Sequence, residues 1–287
     1  MAFTSGTSFR LGTNFASDRC NARSGSAGFL GGEGCRLTSC TAIDMVGSGF
    51  STGTGTGWTL DRCVATNCAA AGFTGFSAST FTGCVANRCI GGFALTDHNT
   101  LSGCVASKST NGGHGISVTN DCVIRDCVAN DNAGSGIVAS FSSILGCTTN
   151  FNEINGITAT YSSVLDCTTN LNGRNGIEVT AACLVRGNTC SVNGRAIVSA
   201  GIFVLGSDNR LEDNNCIDNN ARGIDVNAAG NIIVRNTCAS NAYNWDIVAG
   251  NVCGPILSRT APASAAIVGD SAPDSTGSTH PNANFTY

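Results

Sequence analysis

The sequence predicts an all-β protein, a single-stranded, right-handed parallel β-helix of about eleven coils over residues 1–253, with a C-terminal tail or cap over residues 254–287. Three observations predict it. One phrase recurs, as CVANDNAGSGIVA at 127–139, CTTNFNEINGITA at 147–159 and CTTNLNGRNGIEV at 167–179. Its period of about twenty is too short for an independent domain and is the length of one solenoid coil. Short Ile-x-Val runs alternate with period two, the signature of a half-buried strand. Composition agrees: 12% charged residues, 37 Gly and only 4 Pro fit a turn-rich β-protein, and a net charge of −4 is too small to mark disorder.

In chain order, the repeat is anchored by Cys20, Cys40, Cys63, Cys84, Cys104, Cys127, Cys147 and Cys167, with Asn188, Asn214 and Asn236 taking over the position. Three residues before most anchors stands a large apolar residue, such as Leu60, Ile144 or Val185. About ten residues after each comes Gly-Phe early and Gly-Ile later, from Phe29 to Ile224. Position plus two is small (Ala65, Ala129, Thr149, Cys190) and is placed inward with the anchor. Position plus five carries Asn132, Asn152, Asn172, Asn193, Asn219 and Asn241, expected to stack as a ladder and to tolerate left-handed turns. The Gly before Phe or Ile is expected to supply the same backbone freedom. Three strands per coil follow, right-handed by the preference of parallel crossovers. Loops should leave the rod at 51–57, 111–114 and 194–200, the last being the largest insertion. The repeat begins by Phe9, so few residues are available to cover the first coil, and an open sheet edge seeks a partner. End-to-end self-association is expected from this.

Several classes are excluded. Fourteen Arg and the single Lys108 are scattered, which gives no nucleic-acid patch. No apolar run is long enough to span a membrane. The start MAFTSGTSFRLG has neither a basic nor an apolar signal region in this numbering. Most of the seventeen Cys fall on one repeat position, which reads as stacked, small buried thiols. Disulfides between neighbouring coils stay open as an alternative.

The phrase Asn214-Asn215-Cys216-Ile217-Asp218-Asn219-Asn220-Ala221-Arg222-Gly223-Ile224-Asp225-Val226 resembles the right-handed parallel β-helix repeat proteins, the pectate-lyase-like superfamily and its periplasmic copper-protein relatives. The resemblance covers residues 9–250. It implies the fold. For function it implies a range, from polysaccharide lyases, hydrolases and epimerases to tailspikes and adhesins.

Chemistry-bearing residues are sparse. Gly113-His114-Gly115 is similar to a segment of the polygalacturonases, but the preceding coil offers Asp97 without the second Asp that paired acid and base carboxylates require. His114 is therefore expected to be a turn residue. Asp126, Asp166 and Asp213 stand before alternate anchors, with Arg125 and Arg186 one column away. Glu178 and Asp225 face outward from their strands, two coils apart. All read as separated, solvated charges. The Cys-x4-Cys pairs 35/40, 63/68, 84/89 and 122/127 follow from the repeat rather than from a metal site. No catalytic residue, metal centre or cofactor is expected. Position plus one (Thr41, Val64, Val85, Val105, Val128, Thr148, Thr168, Thr189) should form an outward, nearly uncharged stripe. The expected function is that of a non-catalytic, extracellular or surface β-helix that associates with itself. The alternative is a carbohydrate-active enzyme or carbohydrate-binding module with a polysaccharide partner.

Overall fold

The computed structural model describes residues 7–53, 55–197, 199–258 and 281–286. Each coil gives one short strand to each of three parallel sheets. Sheet I runs from Thr7–Leu11 to Tyr243–Ile247, and sheet II from Ala16–Asp18 to Val252–Cys253, with twelve strands each. Sheet III starts at Asn21–Arg23 and has thirteen. The rod has twelve rungs rather than about eleven. The twelfth anchor is Asn284, which comes from the tail and escapes any count by period: Asn284–Thr286 lies between Thr237–Ala239 and Ile256–Ser258 in sheet III. Residues 1–6, where a cover for the first coil was sought, and the tail between 259 and 280 lie outside the described residues.

Like stacks on like because the register is in phase at every rung. On the inner face of sheet I, Phe9, Phe29, Phe50, Phe73 and Phe93 stack at 4.6–4.8 Å. The rung spacing itself sets that separation. Ile116, Ile137, Ile157, Ile177, Ile202 and Ile224 continue the column, fully buried. The minus-three residues fill the inner face of sheet II and the plus-two residues that of sheet III, as expected. A rung cannot bury its own edges, so each depends on its neighbours.

The corners obey one rule. At each, a residue turns its backbone N–H inward, away from the sheet ladders, and a buried N–H must find an acceptor. Where the equivalent residue one coil on is Asn, and at Ser79, Ser142, Ser162, Cys122, Cys167 and Cys183, its side chain is the acceptor. Between sheets III and I, Asn132, Asn152 and Asn172 donate their N–H groups to the Oδ1 atoms of Asn152, Asn172 and Asn193 at 3.1–3.2 Å. Between II and III, Cys147 donates to Cys167 Sγ at 3.4 Å, Cys167 to Asn188 Oδ1 at 2.9 Å, and Asn236 to Asn284 Oδ1 at 2.8 Å. Between I and II, Cys122, Ser142 and Ser162 donate to Ser142 Oγ, Ser162 Oγ and Cys183 Sγ. Asn, Ser and Cys recur because each both donates and accepts. All seventeen cysteines are free thiols, fifteen of them buried.

Two expectations about backbone freedom are corrected. The left-handed residue is the one before each ladder position, and it is mostly not glycine: Asp131 (φ 56°), Phe151 (56°), Leu171 (55°) and Val192 (54°) precede Asn132, Asn152, Asn172 and Asn193. The Gly before Phe or Ile has ordinary φ and is needed for close approach instead. A Cβ on Gly156 would meet Gly176 O at 2.5 Å, Thr149 Oγ1 at 2.6 Å and Asn172 Nδ2 at 2.8 Å.

Candidate functional site

The outer faces of the three sheets differ. On sheet III the plus-one stripe is half-buried and outward, as expected. Beside it runs a second column, Asn130, Asn150 and Asn170; the side chains of Asn130 and Asn150 accept N–H groups from the next rung at 2.9–3.2 Å, and that of Asn170 accepts the Ser191 hydroxyl. On sheet II the C-terminal rungs carry a closed ionic network. The side chain of Glu212, 8% exposed, accepts from Arg210 at 2.7 Å and from Arg235 at 3.0 Å. Arg235 also holds Asp213 at 2.8 Å and reaches Asn282 of the tail at 3.2 Å. Hydrogen bonds from Arg235 hold the Asp213 carboxyl below its usual range. These charges satisfy one another and fasten the tail.

Sheet I is different. Its outward column reads Ser117, Val138, Thr158, Glu178, Phe203, Asp225 and Asp246 over consecutive rungs. Asp225 points to the solvent side, yet its side chain is only 9% exposed. It lies between the rungs of Phe203 and Asp246. Arg222 Nε stands 3.4 Å from Asp225 Oδ2 and donates to Asp246 Oδ2 at 2.7 Å. Asp225 Oδ1 has no hydrogen-bond partner, the one carboxylate oxygen among the described residues buried in that condition. Desolvation raises the Asp225 carboxyl above its ordinary range; Arg222 opposes the shift and Asp246 adds to it. Two rungs away, roughly 10 Å along the rod, Glu178 Oε2 accepts from Asn175 Nδ2 at 3.0 Å. The expectation that Glu178 and Asp225 are merely solvated is therefore corrected for Asp225. The face holds one easily protonated carboxyl, one hydrogen-bonded carboxylate, a phenyl ring between their rungs and a guanidinium shared with Asp246. Such a set can bind a sugar ring and exchange a proton with it.

Residues 194–197, the described start of the insertion, precede the strand Ala200–Val204 that bears Phe203, at the III–I corner. Arg195 lies over the Phe151 ring at 5.3 Å. At the I–II corner, Phe141 and Tyr161 stack at 4.7 Å and are 52% and 50% exposed. Both have left-handed backbones, φ 47° and 49°. That conformation costs an ordinary L-residue roughly 1–2 kcal/mol, and one ring pair returns about 0.5–1.5 kcal/mol.

The pattern of the right handed beta helix region matches residues 25–170, 146 of 287 residues. The chain belongs to the right-handed β-helix family. Its fold is the right-handed parallel β-helix. Among solved structures, the Azotobacter vinelandii mannuronan C-5 epimerase AlgE4 A-module is similar at 18% identity and a TM-score of 0.64, over 83% of this chain and 90% of that one. The AlgE6 A-module of the same organism is similar at 18% identity and a TM-score of 0.61, over 82% of each chain. The periplasmic alginate epimerase AlgG is similar at 12% identity and a TM-score of 0.63, over 84% of this chain and 74% of that one. At these identities the likeness is one of fold. No curated protein matches the sequence.

The other candidates from the sequence take structural places in this family's fold. His114 Nδ1 accepts the Ser135 N–H at 3.0 Å, which commits its lone pair to the next coil, and burial lowers its pKa. Asp126 and Asp166 occupy left-handed corner positions, φ 53° and 52°, and their carboxylates lie over Gly146 and Gly187 of the next coil. Arg125 is exposed on sheet II, and Arg186 stands 4.0 Å from Glu212. The Cys-x4-Cys pairs are split between corners: Cys122 caps the I–II corner, and Cys127 lies five residues on at the II–III corner. Among the described residues no helix is long and apolar enough to cross a membrane. The edge strand of the first coil, through which self-association was expected, is Thr7–Leu11; the residues before it, 1–6, fall outside the described residues. The burial of Asp225 was not visible in sequence. The one available signal was the break in the Ile-x-Val column, where Ser, Val and Thr give way to Glu, Phe and Asp.

Proposed function

We propose that this protein is a carbohydrate-active β-helix that lays an extended polysaccharide along sheet I, with Asp225 as its proton donor. Asp225 carries the reading: a carboxyl buried on the outward side with one oxygen unpartnered costs stability, and a purely structural rod has no use for that cost. Phe203 supplies an apolar floor for a sugar ring. Glu178, two rungs away, is the second carboxyl of the face, and Arg222 holds Asp225 on one side only. The proteins similar in fold include mannuronan C-5 epimerases and an alginate epimerase described as periplasmic, which supports both a polysaccharide partner and a location outside the cytoplasm. The face carries Glu178 and Asp246 against the single Arg222, with no row of cations for a polyanion, so charge favours a neutral chain. The test is a panel of neutral glucans and uronate polymers, scored for binding and for new chain ends between pH 4 and 7. Asp225→Asn and Glu178→Gln should retain binding and lose turnover by about 10²–10⁴-fold. Failure of the unmodified protein to bind any polymer would reject the reading.

A further inference from the structure

We infer that the Phe141–Tyr161 ridge is a second sugar-binding subsite, remote from Asp225, on which the same polysaccharide rests. The inference deepens the reading of sheet I as a polysaccharide face. Two independent observations carry it. First, the rings stand in the open on backbone that an aromatic residue disfavours. The other ten described positions of this corner column are Gly, Ala, Asn, Asp or His, among them Gly34, Ala78, His98, Asp121 and Ala182, and none is Phe, Tyr or Trp. Local stability therefore does not select aromatic residues there. Left-handed backbone is common to the corners of this fold, so the feature particular to this pair is two stacked, half-exposed rings on adjacent coils.

Second, the surroundings have the chemistry of a sugar site. On the sheet I side of the ridge lie Ser140, Thr160 and Thr180, with Thr160 Oγ1 and Thr180 Oγ1 2.5 Å apart. On the sheet II side lie Ser143 and Ser163. The next corner residue after Tyr161 is the small Ala182, which leaves that end of the ring stack uncrowded. On the other side stands Asp121, which faces His98 at 3.5 Å and is 68% exposed. A ring edge set between two rows of hydroxyls suits a ligand with C–H faces and hydroxyl rims, which is a pyranose. A protein partner would want a wider apolar area than two rings offer. The ridge borders the same outer face as Asp225. Tyr161 follows the strand Ile157–Thr160, three rungs before the strand of Asp225, or roughly 14 Å along the rod. A short oligosaccharide spans that distance, and longer chains would engage both places.

The experiment uses the full chain with the polymer the unmodified protein binds best, and with oligosaccharides of increasing length from it. Tyr161→Asn and Phe141→Asn place a residue that favours the left-handed turn at an exposed site. The expected result is a melting temperature equal to or above that of the unmodified protein, with affinity for long chains lowered by about two- to tenfold. Affinity for fragments too short to reach from Asp225 should not change, and Tyr161→Phe should bind like the unmodified protein. Unchanged long-chain affinity in both Asn variants overturns the inference and leaves the Asp225 reading standing. An equal loss for short and long chains also overturns it. If the unmodified protein binds no polymer, both readings fall together.

Discussion

Replacing Asn172 by Ala tests the corner rule where it is most complete. The side chain is fully buried and makes four hydrogen bonds. Its Nδ2 donates to Thr149 O at 3.0 Å and to Asn193 Oδ1 at 2.9 Å. Its Oδ1 accepts from Asn152 N at 3.1 Å and from Asn152 Nδ2 at 2.9 Å. Two of the partners keep other bonds: Asn193 Oδ1 still receives Asn172 N, and Asn152 Nδ2 still reaches Ala129 O. The Asn152 N–H loses its acceptor inside the rod, which costs about 1–3 kcal/mol, and the other bonds lost add about 1 kcal/mol each. The expected loss is about 4–6 kcal/mol, at or above the upper end of that for truncating a core aliphatic residue. Urea unfolding followed by far-ultraviolet circular dichroism gives the total, and hydrogen exchange at the Asn152 amide locates it. Asn172→Ser should recover part of the loss, because Ser162 Oγ already does this work at another corner, at 3.0 Å from Ser142 N. A loss below about 1 kcal/mol, with the Asn152 amide as protected as before, would refute the rule, since the amide would then have an acceptor other than the ladder.

Two further outcomes follow from the geometry. Burial raises the Asp225 pKa, so the folded state binds its proton more tightly than the unfolded chain does; stability should fall as pH rises from below 4 through the raised value. Asp225→Asn should flatten that segment of the stability–pH curve and equal or exceed the unmodified protein at pH 7, while a steeper curve in the variant would contradict the burial argument. Gly156→Ala puts a methyl group against backbone and ladder atoms at 2.5–2.8 Å and should cost about 1–3 kcal/mol, visible as a lower urea midpoint; an unchanged midpoint would mean that the corner is looser than described.

What could be read from the sequence was whatever repeats in phase. Ile157, Val164 and Ala129 fall inward because each coil presents the same position to the same neighbour. The Asn132–Asn241 ladder was legible for the same reason. The I–II ladder was not, since Ser142, Ser162, Cys183 and Asn209 share a function without sharing an identity. The left-handed corners were assigned to the ladder Asn and to glycine on propensity, but they fall on the residue before the ladder, where Phe151 and Val192 donate their N–H groups to Asn170 O and Ile217 O of the next coil. Glu178 and Asp225 were correctly put on the outward column. Whether such a residue is wet or dry depends on lateral neighbours such as Phe203 and Arg222, which lie whole coils away and follow no period.

The II–III corner changes chemistry along its length, from thiols between Cys40 and Cys167 to amides from Asn188 onward. Sulfur can be alkylated or oxidised, whereas a carboxamide resists both. A reagent small enough to enter a breathing coil would therefore injure the two ends unequally. Chemical ageing would be expected to loosen the II–III corner first over its thiol-lined length, Cys40 to Cys167, and later over the amide-lined length beside Asp225.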